Sequence, residues 1–120
     1  MSKTEVVMFA EDDGSVPLLE WMDKLLHKAQ DKCIVRIERL AEKGYELHRP
    51  EADYLRDDIY ELRVSLQGIH YRILYFFSGK QAVISHGVTK EQEVPPREID
   101  LAIDRRVRFE RNPEKHTYRG

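Results

Sequence analysis

The chain has very little cysteine, no long apolar run and almost no net charge. Its single cysteine excludes an intrachain disulfide, so we expect a protein of the reducing cytoplasm. The first ten residues, M-S-K-T-E-V-V-M-F-A, lack the apolar stretch of a signal peptide or membrane span, and no membrane association is expected. A length of 120 residues suits one packed core, so residues 1–120 are predicted to form a single domain.

Charged side chains make up 35% of the residues, yet they nearly cancel to a net charge of −2. Nucleic-acid-binding proteins more often carry an excess of positive charge, so such a role would require a local basic patch. No spacing of histidine, cysteine or carboxylate residues resembles a metal site. We therefore expect neither a metal nor another cofactor.

Three consecutive strands are predicted between Tyr60 and Val88. Gln67-Gly68 and Ser78-Gly79-Lys80 are the turns, because glycine tolerates the positive φ of short hairpin connections. The segment is therefore predicted to be an antiparallel meander. Its middle strand, Ile69 to Phe77, becomes apolar on both faces toward its C-terminal end, which indicates a central strand covered on both sides there.

Helices are predicted on either side of the meander. Apolar residues at three-to-four spacing indicate a helix from about Val16 to His27, a second one ending at Gly44, and a third from about Pro96 to Phe109. The first two would form a hairpin or one long bent helix. The run from Lys3 to Phe9 is a candidate first strand, and Tyr45 to Asp58 is predicted to be a loop. The expected fold is α+β: an antiparallel sheet of about four strands, an N-terminal helical hairpin and a C-terminal helix.

Arginines on the first two strands of the meander make the sheet a candidate anion-binding surface. The guanidinium groups of Arg63 and Arg72 match phosphate oxygens and keep their charge at any cellular pH. Arg72 shares a strand face with His70, on a part of the sheet that we expect to be more open. The alternative is that both arginines pair with Glu61 or another acid across the sheet.

Two histidines are candidates for proton transfer, since imidazole titrates near neutral pH. His86, on the last strand, is the most natural candidate, and His70 is a second one. For both residues the alternative is an ordinary hydrogen-bonded histidine without a catalytic role.

Four motifs in a fixed order resemble a known family: L-R-D-D-I-Y-E-L-R, Y-R-I-L-Y-F, I-S-H-G-V-T-K and P-P-R-E-I-D-L-A. They are similar to the phage-related HigB-like branch of the RelE/ParE toxin superfamily, over about Leu18 to Arg108. The resemblance implies a RelE/ParE-like fold and a small cytoplasmic toxin of a type II toxin–antitoxin system. Such a toxin is an endonuclease that cleaves messenger RNA, usually on the ribosome, and is held inactive by a partner antitoxin, a small helix-turn-helix protein.

The resemblance places the family's central-strand arginine on Arg72 and its loop lysine on Lys90. The predicted site combines these with the candidates above: catalytic Arg72, Arg63, Lys90 and His86, and substrate-binding His70 and Arg97. RNA carries its own nucleophile, the 2′-hydroxyl, so cleavage without metal needs only positioning, proton transfer and charge stabilisation at the phosphate. For Lys90 the alternative is a solvated loop charge.

The loop Lys90-Glu91-Gln92-Glu93 departs from the family pattern, which is more basic there. Its two carboxylates would repel an RNA backbone, which indicates a weakened toxin or a specialised substrate. A second hypothesis is therefore a non-catalytic inhibitor of the ParE type, which binds a protein target such as DNA gyrase. A third is a plain interaction module without toxicity.

Overall fold

The structure is a computed structural model that describes residues 4–90 and 93–118. Its elements, in chain order, are β1 (Glu5–Met8), α1 (Pro17–Met22), α2 (His27–Lys43), a short 3-10 turn (Gly44–Glu46), β2 (Ala52–Arg56), β3 (Ile59–Leu66), β4 (Ile69–Ser78), β5 (Gln81–Lys90) and α3 (Pro96–Arg111). None of the helices in these two ranges is both long and apolar enough to cross a bilayer.

The five strands form one mixed sheet in the order β1-β5-β4-β3-β2. The pairs from β2 to β5 are antiparallel, whereas β1 lies parallel to β5. The prediction of about four antiparallel strands is therefore wrong in number and in direction. The parallel pair arises because the chain crosses one face of the sheet through α1 and α2 after β1, rather than turning back in a hairpin.

The predicted meander is confirmed, with β4 as the central strand. A two-residue turn joins β3 to β4, and both of its residues have positive φ, 52° at Gln67 and 82° at Gly68. This left-handed pair suits the twist of the flanking strands. The turn fixes the register in which Arg63 faces Arg72 across the two strands.

The two faces of β4 contribute to two separate cores. Ile73 and Tyr75 lie on the face covered by α1 and α2, whereas Leu74 and Phe76 lie on the face covered by α3. The placement of both N-terminal helices on one face and of the third helix, near its predicted bounds, is confirmed. Helices therefore cover both faces of β4 along Ile73 to Phe76.

The first helix is shorter than predicted. α1 ends at Met22, and the chain turns before α2 begins at His27, so the predicted continuation of one helix to His27 is wrong. The Gln30 side-chain amide donates to the carbonyl of Met22 at 2.8 Å, and Leu26 takes an extended backbone with ψ of 150°. This turn lets Leu25 pack against the core while Leu26 points to solvent.

The segment predicted to be a loop, from Tyr45 to Asp58, contains the edge strand β2. Its sequence, A-D-Y-L-R, lacks the apolar alternation of a half-buried strand, because an edge strand at a cleft carries polar side chains. One such side chain, Asp53, forms an ion pair with Arg49 at 2.8 Å. The prediction of a loop was wrong because pairing with β3, not local preference, makes this segment a strand.

Candidate functional site

Two neighbouring clefts open at the end of the sheet near the turn between β3 and β4. The first, of about 620 Å³, lies between α2 and the end of β3, and the second, of about 510 Å³, lies between β2 and the segment that enters α3. Arg63, His70 and Arg72 line both clefts. Three residues predicted from the sequence therefore come together at one place.

Arg63 and Arg72 lie directly opposite each other on β3 and β4. The carboxylate of Glu61 interacts with both: Oε1 lies 3.5 Å from Nε of Arg72, and Oε2 lies 3.6 Å from Nε of Arg63. The predicted alternative of pairing with Glu61 is thus present in the fold. It does not remove the arginines from the clefts, since Arg63 and Arg72 line both clefts while they interact with Glu61.

Arg72 is buried, which corrects the expectation that it lies on an open part of the sheet. Its exposed fraction is 7%, and Nη1 donates to the carbonyl of Tyr71 at 3.4 Å. Burial lowers the pKa of Arg72, and Glu61 opposes that shift. Burial likewise raises the pKa of the Glu61 carboxyl, although Arg72 and Arg63 act in the opposite direction. A guanidinium held in a partly dry cleft interacts more strongly with an anion than one in water.

His70 stands at the mouth of both clefts and is half-buried. Its Nδ1 lies 2.9 Å from the hydroxyl of Ser65, the residue that it faces on β3. This hydrogen bond orients the ring beside the two arginines. Of the two histidines considered, His70 is the one that lines the clefts.

His86 lies away from these clefts, in a buried chain of hydrogen bonds. The register of β5 shifts so that Ser85 is an extra residue between the partners of Leu74 and Tyr75. The Ser85 hydroxyl lies 2.7 Å from Nδ1 of His86, and Nε2 lies 3.0 Å from Oε1 of Glu98. Both ring nitrogens are thus engaged, as in the alternative of an ordinary hydrogen-bonded histidine.

The imidazole of His86 is held neutral by its surroundings. Burial lowers its pKa, Arg105 lowers it further, and the hydrogen bond to Glu98 opposes both effects. A neutral ring fits the observed contacts, with Nε2–H donating to Glu98 and Nδ1 accepting the Ser85 hydroxyl. The role of His86 in proton transfer stays a prediction, and this geometry gives it little support.

The other two predicted residues lie at the margins of the site. The backbone of Lys90 ends β5 opposite His70, while its side chain lies outside the described part of the structure, as do residues 91 and 92. Arg97, in the first turn of α3, has a side chain 75% exposed, and its Nε lies 3.8 Å from Glu98. Arg97 is not among the lining residues of either cleft.

The sequence analysis missed the contribution of α2 and of the segment before β2. Lys32 and Arg36 line the first cleft, and Arg49 lines the second. The spacing of Lys32 and Arg36, four residues apart on one helix face, was a signal that their side chains point the same way. Across the described ranges, no three histidine, cysteine, aspartate or glutamate side chains are grouped so that they could hold a metal ion.

The fold and the site define a small α+β protein with paired arginines in a cleft at the end of a mixed sheet. The chain belongs to the family described as "Phage derived protein Gp49-like (DUF891)", whose sequence profile matches residues 20–107. This toxin-like family is related to the RelE/ParE-type toxins, in agreement with the superfamily resemblance, while the HigB-like branch stays a prediction. A comparison with curated proteins found no match.

Proposed function

We propose that the protein is the toxin of a type II toxin–antitoxin system and that it cleaves messenger RNA by attack of the 2′-hydroxyl on the adjacent phosphate. The observation that carries this proposal is the meeting of Arg63, Arg72 and His70 where two clefts join. A strand of RNA that ran from one cleft into the other would bring its phosphate to the arginines. The relation of the family to RelE/ParE-type toxins supports the same function.

Charge supports a phosphodiester as the ligand. Arg63 and Arg72 contribute two positive charges, and Glu61 contributes one negative charge when it is ionised. The remaining single positive charge matches the single negative charge of a phosphodiester. In the transition state that phosphate gains negative charge, and guanidinium donors already in place stabilise it without reorganisation.

In this proposal His70 is the residue that transfers the proton. It lines both clefts beside the arginines, and its ring is oriented by Ser65. An imidazole can accept the proton of the 2′-hydroxyl or donate one to the leaving 5′-oxygen. Lys90, opposite His70 on β5, and Arg97 are proposed to hold the flanking RNA backbone.

The proposed setting is the ribosome in the cytoplasm, with a small helix-turn-helix antitoxin as the controlling partner. The net charge of −2 argues against tight binding of free RNA, because electrostatic affinity depends on excess positive charge. A substrate already held by the ribosome needs little of that affinity. We therefore propose that cleavage depends on the ribosome.

A second candidate is a non-catalytic inhibitor of the ParE type that binds a protein target such as DNA gyrase. Glu61 favours it, because this carboxylate already interacts with both arginines without any substrate. The two functions differ in the product that they leave. A nuclease yields cut messenger RNA, whereas a gyrase inhibitor yields loss of supercoiling activity with intact RNA.

The test combines expression in bacteria with a purified assay. Expression alone should arrest growth, and co-expression with the neighbouring gene product should relieve the arrest. A single-turnover assay on ribosome-bound messenger RNA should then yield 2′,3′-cyclic phosphate ends in excess chelator, provided that the ribosomes are shown to stay intact under those conditions. A 2′-deoxy substitution at the scissile position should abolish cleavage. Growth arrest with intact RNA and inhibited gyrase would support the second candidate, and no arrest would contradict both.

A further inference from the structure

The edge strand β2 carries an extra residue where it passes the second cleft. Tyr54 pairs with Tyr60 and Arg56 pairs with Ile59, so Leu55 is an extra residue between the two pairs. Such a bulge changes the direction in which the neighbouring side chains point. Leu55 packs against the core under α3, whereas Tyr54 lines the second cleft and is 50% exposed. The strand thus presents an aromatic residue to this cleft.

The ring of Tyr54 is held in place by two contacts. Its hydroxyl accepts the N–H of Asp58 at 3.1 Å. The ring also lies edge-to-face with that of Tyr60, with the centroids 5.1 Å apart and the planes at 75°. Tyr60 is stacked in turn on the buried ring of Tyr75, with the centroids 5.4 Å apart. Because the ring of Tyr54 is already ordered, a ligand that packs on it loses little affinity to side-chain ordering.

The second cleft combines this ring with two groups that match phosphate. Arg63 and Arg72 line the same cleft as Tyr54. Its volume of about 510 Å³ lies within the range of small-molecule sites, so it has room for one nucleotide. Proteins that hold single-stranded nucleic acid without reading its sequence use the same combination, cationic side chains for the backbone and an exposed aromatic ring for a base.

We propose that Tyr54 is a platform on which one base of the RNA strand stacks, beside the phosphate held by Arg63 and Arg72. This inference rests on the proposed function and names the part of the substrate that the second cleft binds. Each of the four bases has a flat π-face, so the contact requires no particular sequence. The stacked base would fix the strand in the cleft on one side of the phosphate.

Stacking supplies a kind of affinity that does not depend on excess positive charge. The net charge of the chain is −2, and the second cleft is also lined by the carboxylates of Asp53, Glu61 and Glu93, which repel phosphate. A base on Tyr54 adds affinity without charge. Among the described residues that line the first cleft, none is a phenylalanine, tyrosine or tryptophan. We therefore assign the stacked base to the second cleft.

The first experiment adds a trinucleotide of 2′-deoxyadenosine to the full chain at low salt. This probe lacks the 2′-hydroxyl and cannot be cut by the proposed reaction, so binding is measured apart from cleavage. The ring protons of the six tyrosines are followed by NMR, with those of Tyr54 assigned from Tyr54→Phe. The Tyr54 signals should move upfield, because a stacked base shields them. Unshifted Tyr54 signals at the highest probe concentration would overturn the proposal.

A cycle of changes in the ring and in the base tests the stacking itself. Three further probes each have one base replaced by hydrogen, with every phosphate kept. For the wild type, loss of the stacked base should weaken binding by about 5-fold to 150-fold, the range expected for base–aromatic stacking. For Tyr54→Ala, loss of that base should cost nothing further. An abasic probe that is weakened equally with both proteins would overturn the proposal.

Matched variants separate the ring from the fold. Tyr54→Leu keeps an apolar side chain without a planar ring and should weaken the trinucleotide as Tyr54→Ala does, whereas Tyr54→Phe keeps the ring and should bind nearly as the wild type does. Tyr118→Ala removes another exposed tyrosine, which lines neither cleft, and should leave the affinity unchanged. Equal affinities of Tyr54→Leu and Tyr118→Ala would overturn the proposal.

The salt dependence of binding tests whether Tyr54 acts through the arginines. None of these substitutions removes a charge, so the log–log salt slope should stay that of the wild type in every variant. A shallower slope in Tyr54→Leu would show that the substitution displaces Arg63 or Arg72, and it would overturn the assignment of a stacking role.

The stacking proposal and the nuclease proposal can fail separately. If the Tyr54 signals shift and the base–ring cycle shows coupling, but messenger RNA stays intact in every assay, the stacking holds and the nuclease proposal fails. If messenger RNA is cut with 2′,3′-cyclic phosphate ends and Tyr54→Leu matches the wild type in both cleavage and trinucleotide affinity, the nuclease proposal holds and the stacking proposal is wrong.

Discussion

Arg63 and Arg72 face each other directly across β3 and β4, a cross-strand pair of like charges. Such a pair is unfavourable unless an anion lies beside it. In this fold Glu61 supplies that anion from two residues before Arg63, on the same face of the sheet. The arrangement keeps two guanidinium groups close together at the junction of two clefts, where a phosphate could bind between them.

Arg72→Ala should reduce cleavage of ribosome-bound messenger RNA by about 10²-fold or more, because it removes a preorganised donor that stabilises the transition-state phosphate. The measurement is a single-turnover rate in excess chelator. Arg72→Lys keeps the charge without the planar fork and should restore only part of the rate. Arg111→Ala, which removes the same charge from an exposed position of α3, serves as the control. Equal cleavage rates for Arg72→Ala and the control would show that Arg72 does not contribute to cleavage.

Glu61→Gln should separate binding from catalysis. Removing this charge leaves a more positive cleft, so RNA should bind more tightly at low salt, with a log–log salt slope steeper by up to about 0.7. Without the carboxylate the two arginines repel each other and lose their position, so kcat should fall while KM also falls. Glu110→Gln, an exposed change of the same charge on α3, should alter neither. A variant with unchanged kcat would show that Glu61 does not position the arginines.

The neutral, buried His86 should make the protein less stable on acidification. Its pKa is lowered in the folded state, so below about pH 6.5 the unfolded chain binds a proton that the folded chain does not. The free energy of unfolding should therefore fall as the pH drops from about 6.5 toward the folded-state pKa. In His86→Gln the slope over that window should be shallower by at most about 1.4 kcal/mol per pH unit.

Urea unfolding at several pH values at constant ionic strength measures this slope. NMR titration of the His86 ring gives an independent reading, and the pKa of the ring should lie below that of an ordinary histidine. An imidazole that gains its proton above pH 6.5 in the folded state would contradict the assigned cause.

Gly87→Ala should destabilise the protein by about 1–3 kcal/mol, because the added methyl group would collide with the ring of Trp21. That ring lies over β5, and its Nε1 donates to the hydroxyl of Thr89 at 3.0 Å. Trp21 is the only tryptophan of the chain, so its fluorescence reports urea unfolding of the variant directly.

A double-mutant cycle provides the control for this prediction. In a Trp21→Leu background the ring is absent, and Gly87→Ala should then cost clearly less than in the wild type. An equal cost in both backgrounds would show that the backbone conformation at Gly87, rather than the ring, makes glycine necessary. That second protein lacks tryptophan, so circular dichroism replaces fluorescence in the comparison.

The local sequence was sufficient to predict the elements whose pattern of apolar residues follows from burial. The central strand, with apolar residues on both faces, and α3, with its proline start and apolar face, both lie where the pattern predicted them. The edge strand β2 and the parallel pairing of β1 were not predictable in the same way. Their strand pairing depends on partners far along the chain, and no local alternation of A-D-Y-L-R indicates it.

The candidate site was likewise predictable from the sequence only in part. The sequence by itself determined that arginines would stand on neighbouring strands, because a two-residue turn fixes the register of Arg63 against Arg72. Only the tertiary structure decided that Glu61 would interact with both arginines, that His70 rather than His86 would join them, and that α2 would form the cleft wall. These choices depend on one extra residue in β5 and on the packing of a distant helix, which local spacing does not contain.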